Sequence, residues 1–181
     1  MSHKYKAKLK GELYFITVTV IDWVDLLTRP VYKDSIIESL KYCQKAKDLN
    51  VHAYVIMSNH WHGIVSSDEQ PLEGIMRDMK KFTSKRLIEL IQTTNESRSV
   101  WMLKKFAFAA NRVLKGVNYK VWQDGYHAIH LSSNTMIDQR LDYIHQNPVR
   151  AGLVYEPEHY VYSSARDYAG TSGLMTLQML V

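Results

Sequence analysis

The chain has 181 residues, 46% of them hydrophobic, which is enough for one domain with a real core and short for two. No run reaches the ~18 to 20 uninterrupted apolar residues of a membrane helix, and the basic start MSHKYKAKLKGEL lacks a signal-type apolar segment behind it, so a soluble, cytoplasmic protein is expected. The single Cys43 excludes an internal disulfide and a CxxC metal knuckle, and the net charge of +5 points towards an anionic partner.

Leu13 to Ile21, LYFITVTVI, is rich in β-branched and aromatic residues and predicts a strand. A helix is expected over about Ser35 to Leu49, where Ser35 and Glu38 have capping-box spacing ahead of apolar residues at helical intervals. VHAYVIMS and HWHGIVS then read as two strands joined by a tight turn at Ser58 and Asn59, an antiparallel hairpin. From about Leu72 to Gln92 the period returns to helix, with Ile75, Met79 and Phe82 on one face. After the polar loop TTNESRS, the segment VWMLKKFAFAANRVLKG predicts a further helix closed by Gly116. Strand character resumes near Tyr126, and SNTMIDQRLDYIHQ reads as a helix that Asn134 caps and Pro148 ends. Residues 149–181 read as a tail laid over the domain with little regular structure.

The succession βαββαβ plus one helix predicts an α+β chain with a ferredoxin-like antiparallel sheet, two helices packed on one face, and an additional C-terminal helix and tail. All of 1–181 is expected to form this single domain. The sheet's other face then needs a cover or a ligand.

Charge is concentrated rather than spread. Residues 77–120 hold eleven Lys or Arg against three acids, and Arg77, Lys81 and Lys85 have i, i+4, i+8 spacing on the second helix. Lys4, Lys6, Lys8 and Lys10 alternate at the start. Solvated helix faces are the bland reading. Positive charge interleaved with aromatic residues such as Phe82, Trp101 and Trp122 instead marks a nucleic-acid surface, with Lys4, Lys6, Arg77, Lys81 and Lys85 as candidate contacts.

Within HWHGIVS the period of two sends His60 and His62 to one face and Trp61 to the other. Their Cβ atoms then stand about 7 Å apart, a spacing suited to joint capture of one metal ion. The competing reading is a pair of half-buried histidines satisfied by ordinary hydrogen bonds. On the last predicted helix Ile137, Leu141 and Ile144 form an apolar stripe, while Tyr143 and Asn147 lie together on its flank as i, i+4 neighbours.

AYVIMSNHWHGIV resembles the HUH motif (His, bulky hydrophobe, His) of the single-tyrosine HUH transposases, and LDYIHQNPVRAGLV is similar to that family's second signature, above all in its REP-associated tyrosine transposase branch. The closing YVYSSARDY resembles the same branch. The resemblance runs from about Leu13 to Tyr168 but is poor over 92–120, which reads as an insertion. It implies Tyr143 as the nucleophile and Asn147 as a third metal ligand beside His60 and His62, although its place before Pro148 disfavours ideal helix geometry there. It also implies Mg²⁺ or Mn²⁺ as cofactor, single-stranded or hairpin DNA as substrate, and either a monomer or a homodimer whose sites exchange helices. The expected activity is metal-dependent nicking and strand transfer through a 5′-phosphotyrosine. A tyrosine phenol titrates near pH 10, so a nearby cation would favour its reactive phenolate. Two other readings stay open: a non-catalytic single-strand-binding module on a ferredoxin-like sheet, and a metallohydrolase in which metal-bound water attacks. Tyr126, in GYHAIH, is the rival nucleophile. His127, Gln139 and Arg140 could meet substrate or serve only the surface.

Overall fold

A computed structural model describes residues 10–112, 116 and 118–180; the N-terminal lysines Lys4, Lys6 and Lys8 lie outside them. In chain order the elements are β1 (Tyr14–Thr19), α1 (Pro30–Ala46), β2 (Leu49–Ile56), β3 (His60–Ser67), α2 (Leu72–Thr93), α3 (Ser99–Asn111), β4 (His127–His130), α4 (Asn134–Arg150) and the four-residue α5 (Ala165–Tyr168). The strands form one sheet in the order β2-β3-β1-β4, with every neighbouring pair antiparallel. This is the ferredoxin-like arrangement, in which each helical crossover leaves a gap that a strand of the other half fills.

Both faces of the sheet are covered, and side-chain alternation decides which residues go where. On one face Tyr14, Ile16, Val18, Tyr54, Ile56, Trp61 and Val65 pack against α1, α2 and α3. On the other, Phe15, Ala53, Val55 and Ile64 pack against Ile144 and the partly buried Ile137 and Leu141 of α4. The apolar stripe read from the sequence is therefore the face that docks α4. Ile144 is fully buried, and a side chain of that size contributes ~1.5 to 3 kcal/mol by leaving water. That docking lays Tyr143, its neighbour in sequence, over the strand that carries the histidines.

Several boundaries differ from expectation. Helix α1 begins at Pro30, not Ser35, because proline's fixed φ suits the first helical position, where an N–H would have no partner. Ser35 falls inside the helix, and its hydroxyl is buried without a hydrogen-bond partner among the described residues. In α4 the cap is Ser133, whose Oγ accepts from the Met136 amide at 3.3 Å, rather than Asn134. Pro148 does not end that helix. Its buried ring sits in the last turn, which forfeits one bond to the Ile144 carbonyl while Ala151 N still reaches Asn147 O at 3.0 Å. Helix α3 stops at Asn111, short of Gly116. Beyond α4 the chain has a 3₁₀ turn at Pro157–His159, α5 and otherwise irregular segments. This tail hydrogen-bonds along the exposed edge of β2, with Gln178 N donating to Val51 O, and so blunts an edge that could pair with another chain.

Candidate active site

The register of the sheet places Thr17 of β1 opposite His62 of β3 on one side and opposite His127 of β4 on the other, and Thr19 opposite His60. All of these side chains share the α4 face of the sheet. The His60 and His62 rings lie edge to face with centroids 4.6 Å apart. Tyr143 comes down from α4 to 5.2 Å from the His62 ring, and Phe15 completes the group at 5.2 Å from His62 and 5.9 Å from Tyr143. The fold thus brings His60, His62 and Tyr143 together, the two histidines by strand alternation as the sequence pattern implied and Tyr143 as the family resemblance implied. Asn147 is half-buried, one turn further along α4.

The hydrogen bonds around the imidazoles set which nitrogen is offered to the site. Asp25 accepts from Ser58 Oγ at 2.6 Å and from the Asn59 amide nitrogen at 2.9 Å. The second bond fixes the orientation of the Asn59 amide, because only its nitrogen can donate to a carboxylate. The amide oxygen then faces His60 Nδ1 at 2.7 Å and must accept from it. His60 therefore carries its proton on Nδ1 and a lone pair on Nε2. At His62, Nδ1 lies 2.8 Å from Thr17 Oγ1, and Nε2 is buried with no hydrogen-bond partner among the described residues. An orphaned buried imidazole nitrogen costs ~1 to 3 kcal/mol unless something supplies the missing contact.

Both rings are held neutral. Burial pushes the His62 pKa down to about 3, and the charges of His60 and Arg140 push the same way, while a bond to the Ile16 backbone opposes them. Burial lowers His60 as well. Neutral imidazoles, each able to offer a ring nitrogen, are what a divalent cation requires of histidine. Among the described residues no three His, Cys, Asp or Glu side chains group as a metal site, so the remaining donors to such an ion would be amide, water or substrate oxygens.

Cations flank the tyrosine. The Arg140 guanidinium stands 4.9 Å from the Phe15 ring, and Arg150 stands 5.8 Å from the Tyr143 ring while pairing with Asp142 at 3.5 Å. Arg140 thus belongs to the site. Trp23 lies edge-on to His60 at 5.8 Å. Sequence reasoning did not single out Trp23, Asp25 or Thr17; a partly polar turn carrying a tryptophan, directly after a strand, is the one local signal that marks them. Tyr126 packs into the core on the helical face of the sheet, away from the histidines. His130 is engaged by Glu12 at 2.9 Å.

The basic stripe of α2 lies on that same helical face, so the fold does not bring it to the histidines. Arg77 is paired with Asp78 at 3.2 Å. Lys81 and Lys85 line a cleft of about 510 Å³ with Lys80, Lys120, Tyr119 and Trp122, beside the segment that leads into edge strand β4. Lys80 donates to the carbonyls of Gln123 and Gly125, and burial pushes its pKa down to about 8. A strand reaching both the cleft and the histidines has to pass around the β4 edge.

A sheet-borne histidine pair facing a helix-borne tyrosine is the arrangement to set against known proteins. The model of the family described as Transposase IS200 like matches residues 13–96, from the start of β1 to the loop after α2. A solved REP-associated tyrosine transposase bound to a REP hairpin shares the fold, at a TM-score of 0.64 and 19% identity, over 100% of this chain and 94% of that one. A candidate transposase of Deinococcus radiodurans R1 aligns at 15% identity and a TM-score of 0.43, over 80% of this chain and 97% of that one. No curated protein sequence matches. The match to the IS200-like transposase pattern spans residues 13–96, a little under half of the chain, and the chain as a whole shares the fold of the solved REP-associated tyrosine transposase. No helix among the described residues is long and apolar enough to cross a membrane.

Proposed function

We propose that the protein is a DNA nickase and strand transferase of the single-tyrosine type, acting on single-stranded or hairpin DNA. The observation that carries this reading is the orphaned, buried Nε2 of His62, a ring that lies within 4.6 Å of the His60 ring and 5.2 Å of the Tyr143 ring, centroid to centroid. His60 and His62 would hold a divalent cation, Mg²⁺ or Mn²⁺, with Asn147 as the third protein donor. Such an ion, when bound, polarises a non-bridging phosphate oxygen and stabilises charge in the transition state.

The chain's own residues do the rest. Asn59 and Thr17 hold the imidazoles in place through Nδ1. Arg140 and Arg150 offer positive charge to the phosphate and to the developing phenolate. Tyr143 Oη attacks phosphorus in line; the Oη–P bond forms as the bond from phosphorus to the 3′ oxygen breaks, the phenolic proton passes to solvent and the leaving oxygen is protonated to a 3′ hydroxyl. The resulting 5′-phosphotyrosine keeps the energy of the phosphodiester, so attack by another 3′ hydroxyl completes strand transfer without ATP. Lys81 and Lys85, with Arg77, Lys4 and Lys6, would hold flanking phosphates, and their sequence-independent attraction supplies most of the affinity.

The test is label transfer on a denaturing gel, using radiolabelled single-stranded hairpins with Mn²⁺. Wild-type protein should acquire label and cut the strand. His62→Ala should do neither, yet bind the same DNA within several-fold. Cutting without label transfer would favour a hydrolase, and binding with neither would favour a non-catalytic module.

A further inference from the structure

Trp23 is 58% exposed although indole is among the most costly side chains to leave in water. Its position is not that of a loose turn. Asp22 and Trp23 both have positive φ, 49° and 54°, a region that residues with a side chain rarely adopt, and never without compensation from their surroundings. The compensation is visible on both sides of the indole. Ile21 N donates to Val121 O at 2.7 Å, Asp22 pairs with Lys105 of α3 at 3.3 Å, and Arg98 donates to the Asp25 carbonyl at 2.8 Å. Two neighbouring segments therefore clamp a left-handed turn whose effect is to stand the indole upright beside His60, 5.8 Å away. Val20, Val24, Leu26 and Leu27 around it are buried, so the one large apolar group of this turn left in solvent is the one next to the proposed catalytic centre.

From this we infer that Trp23 is a stacking platform for an unpaired nucleobase next to the scissile phosphate. The inference rests on the single-strand reading of the site and goes beyond it by assigning the base contact. A strand lying across His60 presents a base at every sugar, and an exposed indole on a clamped turn stacks on any of them because every base has a π-face. A turn whose backbone is already clamped also has less to order on binding than a mobile one would. Phosphate contacts alone would hold the strand without fixing where along it the tyrosine attacks. A stacked base at Trp23 sets that register.

The probes are an oligothymidylate and a strand of equal length made wholly of abasic sugar phosphates, which carry the same charges without bases. Binding is measured by fluorescence anisotropy in EDTA, on wild type, Trp23→Ala and Trp23→Phe. Trp23→Ala should weaken oligothymidylate binding about 5- to 150-fold and leave the abasic strand within two-fold, since stacking accounts for roughly that range per base. Trp23→Phe should recover part of the loss. Equal losses on both strands, or none on either, would overturn the assignment and leave Trp23 as packing for His60. Wild type binding neither strand would overturn the single-strand reading itself, and this inference with it.

Discussion

Acid should destabilise the metal-free protein through its buried histidines, and the structure sets the size of the effect. His145 on α4 is held by Ser164 Oγ at 2.9 Å, and burial pushes its pKa down to about 4, with only partial relief from Asp142. His62 is pushed down to about 3. In the unfolded chain both titrate near 6.5. Between pH 6.5 and 4 the unfolded state therefore binds more protons, so stability is full above about pH 7 and falls as pH falls. At pH 5 each site costs about 2 kcal/mol, and His52 and His60, also lowered by burial, act in the same direction. Against a total of ~5 to 15 kcal/mol for a domain this is a large fraction. The perturbation is His145→Gln, which keeps a polar group near Ser164 but cannot take up a proton. Urea unfolding in EDTA, followed by the fluorescence of the buried Trp61 and Trp122, should show the variant losing about 2 kcal/mol less than wild type between pH 7 and pH 5. At a slope of ~1 to 3 kcal/mol per molar urea, the midpoints separate by about 1 M. An identical pH 7 to pH 5 loss in both proteins would refute the assignment of His145 as a buried neutral base.

Thr17→Val removes the hydroxyl at 2.8 Å from His62 Nδ1 without changing the shape of the side chain. Manganese affinity, by titration calorimetry, should fall about 10- to 100-fold, and unchanged affinity would detach Thr17 from the site. Exchanging Lys81 and Lys85 for glutamine should flatten the logarithmic salt dependence of single-strand binding by about 1.4, at ~0.7 per phosphate contact. An unaltered slope would assign the cleft to solvent.

The parts legible in the sequence were those governed by local periodicity. A period of two placed His60 and His62 on one face, and a period of 3.6 gave α4 the stripe that docks it and set Tyr143 on its flank; that Tyr143 meets the histidines was implied by the family resemblance rather than by periodicity. Element order sufficed for the sheet, because few topologies accept βαββαβ. The misread boundaries turned on single residues with two competing uses. Pro30 can start a helix as well as Ser35 can cap one, and Pro148 costs little when a helix has only two residues left to run. What no pattern exposed was tertiary. Asn59 orients His60 only because Asp25, on a distant turn, orients Asn59, and Trp23 reaches His60 only because Lys105 and Arg98 of a later segment hold its turn. The stripe of α2 was correctly read as basic and exposed, but its place across the sheet from the histidines depends on which face α4 claims.

Tyr143 is the nucleophile in this account, and covalent attachment of DNA to it tests the account most directly. Full-length protein is incubated with Mn²⁺ and a panel of single-stranded hairpins, digested, and its peptides are read by mass spectrometry, alongside Tyr143→Phe and Tyr126→Phe. A nucleotide-modified peptide containing Tyr143 is expected in wild type and in Tyr126→Phe, and none in Tyr143→Phe, which should still fold and bind DNA because only one phenolic oxygen is lost. Modification at Tyr126 would contradict the assigned nucleophile, and no adduct on any hairpin would contradict the proposed chemistry.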